Sequence, residues 1–153
     1  MTLAEHFTLA ELVASEYATR HEIDNTPDTE ALANLHALAE GLERARVILG
    51  EPMIVSSGYR SPKVNSAVGG SRTSYHQRGL AADFRCAGQS PAEICKRLLF
   101  AKDIVLYDKL ILEYPRSGGW THIQFPDGEA SPRQHEYTIF SRATGYQPGI
   151  LEA

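Results

Sequence analysis

Three side chains in this 153-residue chain offer the donors that a metal ion takes: His76, Asp83 and His122. Two imidazoles and one carboxylate form a common catalytic zinc set. Zn²⁺ accepts nitrogen and oxygen ligands, and three of them leave a fourth position for water. The spacing His76-x6-Asp83 is not that of a helical pair, in which i and i+4 share a face. A loop and a strand must therefore bring the two together. Spacing alone also accommodates a plainer arrangement, a turn histidine and an aspartate that caps or salt-bridges.

The first two candidates lie in SGYRSPKVNSAVGGSRTSYHQRGLAADF, residues 57–84. This stretch is rich in Ser, Thr and Gly and has no apolar periodicity until its end, so it reads as a polar loop running into a strand. Gly79 permits a turn that a Cβ would hinder. Ala81 and Ala82 are small enough for backbone to pack closely beside Asp83.

The elements around the loop follow from pattern. Thr8-Leu-Ala-Glu11 fits a capping box, and Leu9, Leu12, Val13 and Tyr17 predict a short helix over 9–19. The connector TRHEIDNTPDT is polar. Pro27 and Asp28 open a longer helix with Leu32, Leu35, Leu38, Leu42, Ala45 and Leu49 along one face and Gly50 as its stop. His36 lies beside that stripe as a surface or boundary residue. MIVSS (53–57) and LAADF (80–84) are strand-like. Ser90-Pro91-Ala92-Glu93 starts another helix, to about Lys102. KLILEY (109–114) and WTHIQF (120–125) predict strands joined by the turn PRSGG, EYTIF (136–140) predicts a last strand, and the tail GYQPGILEA reads as irregular. Helices first and strands later predict an α+β fold over a single domain, 1–153, with N-terminal helices packed on a mostly antiparallel sheet.

Apolar residues make up 42% and charged residues 22%, an ordinary globular balance. Net charge is −4 with no Lys/Arg run, which argues against a nucleic acid or an anionic membrane held by bulk charge. Cys86 and Cys95, the two cysteines, imply neither a disulfide framework nor a zinc ribbon. Cys86 lies close to Asp83, but no histidine pairing argues for a thiol nucleophile. MTLAEHFTLAEL lacks the basic start and apolar core of a signal peptide, and no apolar stretch approaches the ~20 residues of a membrane span. The expectation is synthesis in the cytoplasm, with release by another agent if the protein acts outside. His6, His21 and His135 sit in polar or terminal contexts and are expected to be solvated.

Taken together, SGYRS, VN, VGGS, SxH, GxAxDF and the later WxH resemble the zinc D-alanyl-D-alanine carboxypeptidase family. That family includes vancomycin-resistance dipeptidases and phage L-alanyl-D-glutamate endopeptidases, and shares its zinc-site plan with the hedgehog signalling domain. The resemblance covers about residues 7–125. The joint occurrence of SxHxxGxAxD and WxH is specific, whereas each piece alone is not. It implies a hedgehog-like or D-Ala-D-Ala-peptidase-like fold, zinc bound by His76, Asp83 and His122, and Arg60 facing the substrate. The planar fork of an Arg suits a peptide carboxylate or a scissile carbonyl; the alternative for Arg60 is a hydrogen-bonding role within the loop. Ser74 and Tyr59 are further candidates for substrate contact. Ser74 equally suits support of the turn, and Tyr59 suits packing. Trp120 reads as a structural neighbour of His122.

One position departs from the family pattern. Many members carry the catalytic carboxylate three residues before the second histidine, where this chain has Gly119. Asp108 and Glu113 are the carboxylates nearby, and strand alternation favours Glu113. If the two strands pair around PRSGG with Glu113 opposite Trp120 or His122, Glu113 and His122 share a face; a one-residue slip sends Glu113 to the other side. The resulting expectation is a zinc metallopeptidase acting on peptidoglycan stem peptides, with carboxypeptidase and endopeptidase action both open. Glu113 is the proton acceptor, and zinc and Arg60 stabilise the oxyanion. A phage or prophage lysin would fit such a chain. The rival expectation is a non-catalytic zinc-binding module, such as a phage structural or tail-associated component, which Gly119 favours.

Overall fold

The computed structural model describes residues 1–151. A small ribbon, β1 (Thr2–Ala4) and β2 (Phe7–Thr8), leads into α1 (Leu9–Val13) and α2 (Glu16–Arg20). The single helix expected over 9–19 is therefore two. Ala14 is extended, and the Ser15 hydroxyl accepts from the Ala18 N–H to start the second. The long helix α3 (Thr29–Leu49) opens with the Asp28 carboxylate accepting from the Ala31 N–H and closes on Gly50 at φ +72°. After β3 (Met53–Ser57), the polar loop contains a short helix, α4 (Pro62–Ala67), capped by Ser61. Then come β4 (Ala81–Cys86), α5 (Pro91–Phe100) with its Ser90/Glu93 capping box, and the separate turn α6 (Lys102–Val105). The chain finishes with β5 (Lys109–Glu113), β6 (Trp120–Gln124), β7 (His135–Ile139) and β8 (Tyr146–Pro148).

The tail expected to be irregular thus supplies β8, held against β7. The main sheet has six strands in the order β3-β4-β6-β5-β7-β8. All its pairs are antiparallel except β5 with β7. Alternation divides its central strands between two faces. Ala82, Phe84, Leu110, Leu112 and Ile123 turn inward and form one core with Leu35, Leu38 and Leu42 of α3 and Ile94 and Leu98 of α5. Asp83, His122, Gln124, Lys109, Ile111 and Glu113 turn the other way and line an open groove.

The loop meets the helix layer at Gly79. There φ is +77°, and an added Cβ would lie 2.7 Å from the Ala31 carbonyl of α3. Gly79→Ala is expected to cost about 1–3 kcal/mol of stability through that clash and the positive φ. A urea midpoint equal to wild type would show that the loop does not pack here as described.

Candidate metal centre

The SGYRS motif builds the approach to the site. The Ser57 hydroxyl accepts from Arg60 Nε at 3.0 Å, and the Arg60 backbone N–H donates to the His76 carbonyl at 3.0 Å. The Gly58 carbonyl lies 2.8 Å from His76 Nδ1. A carbonyl can only accept, so Nδ1 carries the hydrogen and Nε2 presents a lone pair. That lone pair faces Asp83 Oδ1 at 3.3 Å. Asp83 and His122 sit directly opposite each other on β4 and β6, which brings His122 Nδ1 within 3.0 Å of the same oxygen. His122 Nε2 lies 3.0 Å from Gln124 Oε1. All three side chains are buried, and the two rings meet edge to face at 5.1 Å.

Their donor atoms lie within 4.8 Å of one another. Ligand atoms arranged tetrahedrally at zinc's usual bond lengths stand about 3.3 Å apart, close to the two separations at Asp83. The donor set therefore fits zinc: one carboxylate oxygen and two imidazole nitrogens converge, each with its other atoms engaged elsewhere. Burial pushes the Asp83 carboxyl up, but the two imidazoles outweigh it and hold it well below the usual carboxylate range. Burial is also the main influence on His76, and pushes it down toward the neutral, ligating form. For His122 burial pulls down as well, but the hydrogen bond and charge of Asp83 outweigh it and raise it.

Arg60 Nη2 contacts the second oxygen of Asp83 at 3.4 Å, and Arg60 lines the groove. Ser74 also lines it, and its hydroxyl accepts from the His76 backbone N–H at 3.2 Å, so it supports the turn that carries His76. Tyr59 is the candidate that stays away. It is 4% exposed, packed in the core, and tied by its backbone N–H to the Leu12 carbonyl. His6, His21, His36 and His135 are exposed.

Glu113 pairs opposite Trp120, the register that places it on the groove face diagonal to His122. Its Oε2 accepts from the Trp120 indole N–H at 2.6 Å. Burial raises its carboxyl above the usual range, and the nearby Asp83 charge adds to the effect. Gly119 shows why no carboxylate stands at the more familiar position. Its φ is +60°, and a Cβ there would lie 2.4 Å from the Glu113 carbonyl oxygen. Asp108 is turned to another task. It is 2% exposed and bound by Arg133 and Gln124. Both cysteines are buried, and burial pushes the Cys95 thiol up to about 12, far from a nucleophile's range.

A converging set of one carboxylate and two imidazoles, open to a groove with a raised carboxyl beside it, has the donors and geometry that a metal-dependent hydrolase centre needs. Comparison with family models gives the particular class. Residues 5–124 match Peptidase M15, and the chain belongs to that family. It is a zinc-dependent peptidase. Comparison with curated proteins gave no match. Among the described residues no helix is long and apolar enough to cross a membrane. Strands β7 and β8 follow the matched segment and still line the groove, through Tyr137, Ile139 and Tyr146.

Proposed function

We propose that the protein hydrolyses peptidoglycan stem peptides, at a bond next to D-alanine or at an L-Ala-D-Glu bond. The observation that carries this reading is the charge of the groove. The chain is acidic overall, yet Arg60, Lys109, Arg133 and Arg142 line the cleft beside the candidate metal centre. Among the described residues, Lys109 and Arg142 have no carboxylate partner. Lys109 rests its ammonium over the Tyr137 ring at 5.7 Å. Such a cleft suits an extended peptide bearing several carboxylates, which stem peptides do.

His76, Asp83 and His122 would hold the zinc. When bound, zinc supplies Lewis acidity toward the scissile carbonyl and a water acidic enough to react near neutral pH. Glu113 takes a proton from the attacking water. Trp120 occupies Oε2, which leaves Oε1 for that proton. Its raised affinity for a proton suits the return step, donation to the leaving amine. Arg60 is anchored through Nε and Nη2, so its Nη1 can meet a substrate carboxylate or the oxyanion.

Two experiments test the reading. Purified peptidoglycan treated with the zinc-loaded protein should release new termini at one stem-peptide bond, and chelated protein should release none. An inert peptidoglycan alongside rapid cleavage of unrelated peptides would remove the substrate assignment and leave the peptidase. Arg60→Lys keeps the charge but loses the planar fork, so activity should fall about tenfold or more with zinc content unchanged. Wild-type kinetics in that variant would confine Arg60 to the loop.

A further inference from the structure

We infer that Arg133, Asp108 and Gln124 form a positioning relay that fixes which nitrogen of His122 faces the metal. The inference rests on the His76–Asp83–His122 reading of the site and on no particular substrate. Arg133 follows β6, beyond the segment matched to the family. It grips Asp108 from several sides. Arg133 Nη2 donates to Oδ2 at 2.6 Å, Nε donates to both oxygens at 3.0 and 3.2 Å, and the Arg133 backbone N–H donates to Oδ1 at 3.0 Å. Burial works against the Asp108 charge, but these bonds outweigh it and hold the carboxyl below its usual range.

Donor and acceptor identity then passes along the chain without ambiguity. A carboxylate can only accept, so the Gln124 atom 3.2 Å from Asp108 Oδ2 is the amide nitrogen. The Gln124 oxygen must then be the atom 3.0 Å from His122 Nε2. An amide oxygen can only accept, so Nε2 carries a hydrogen. In the neutral ring, the form that ligates a metal, Nδ1 is then left with the lone pair, on the side of Asp83 Oδ1. If the amide were turned over, its NH₂ would face Nε2, the ring proton would move to Nδ1, and the ligating lone pair would be capped. Asp108 makes that flip costly, because it would set the amide oxygen against a buried carboxylate. The relay does for His122 what the Gly58 carbonyl does for His76. One ligand is set by a local backbone group, the other by a side-chain relay whose far end, Arg133, lies beyond the matched segment.

Zinc affinity of the full-length protein, measured by competition with a chromophoric chelator, tests the relay. Gln124→Leu should weaken zinc binding by about 10–100-fold, the usual cost of losing an outer-shell partner. It should also abolish the exchange-protected His122 Nε2–H signal in ¹H–¹⁵N spectra of the zinc-loaded protein. Asp108→Asn and Gln124→Glu should each weaken binding, the first by freeing the amide to flip and the second by opposing two carboxylates. Arg133→Met guards against misfolding of the buried variants, because the Arg133 side chain is 48% exposed. It should lower zinc affinity by more than the change in the metal-free protein's urea midpoint accounts for. Wild-type affinity in Gln124→Leu with the signal intact would overturn the relay. So would an Arg133→Met that loses stability and no affinity.

Discussion

Replacing His76 with alanine is expected to strip the protein of zinc and of hydrolytic activity together, and to leave the fold in place. His76 arrives on the loop and its buried ring packs against His122, apart from the apolar core that joins α3 and α5 to the sheet, so that core should survive its loss. Its loss leaves two protein ligands. Asp83 also loses the imidazole that does most to offset its burial. Outer-shell changes alone cost 10–100-fold in affinity, so loss of a direct ligand should cost more than about 100-fold and empty the site during dialysis. Elemental analysis beside a peptide-cleavage assay reads both quantities. Full zinc content in His76→Ala would mean that the ligand set is drawn wrongly.

Glu113→Gln should behave in the opposite way toward the metal. The amide is isosteric and can still accept from the Trp120 indole through its oxygen, so fold and zinc content should persist. What it lacks is a site for the proton of the attacking water. Turnover should fall by about 10²–10⁴-fold, the usual contribution of general acid–base catalysis, with a much smaller change in KM. Two exclusions and one register single out Glu113. Gly119 has no room for a side chain, Asp108 is committed to Arg133, and Glu113 lies opposite Trp120 on the face that carries His122. Near-normal turnover in Glu113→Gln would require another proton acceptor in the groove.

Much of this arrangement was legible in the residues because its signals are local. The leucine stripe and the Asp28 and Gly50 ends of α3 lie within one segment, and caps of this kind act within a turn or two. The face of Glu113 followed from strand alternation once PRSGG was read as the turn. The breaks were local too, but weaker. Ser15 starts a second helix where one was expected, and Ser61-Pro62 starts α4 inside the polar loop. β8 carries little pattern of its own, since Tyr146–Pro148 is short and takes its conformation from pairing with β7. The support of His122 was hidden for a different reason. Gln124 could have been noticed two residues along the same strand face, but Arg133 meets Asp108 only through the tertiary fold. Tyr59 illustrates the converse: a residue beside Arg60 in the motif, yet turned into the core.

The central claim is that one zinc, held by His76, Asp83 and His122, makes this chain a stem-peptide hydrolase. Titrating zinc into the metal-free protein, with cleavage of a synthetic stem pentapeptide followed by mass spectrometry, tests it most directly. The account predicts no cleavage without metal, a linear rise to a plateau at one zinc per chain, and a single scissile bond throughout. Cleavage by the metal-free protein at the plateau rate would contradict it, as would an intact peptide with the site fully loaded.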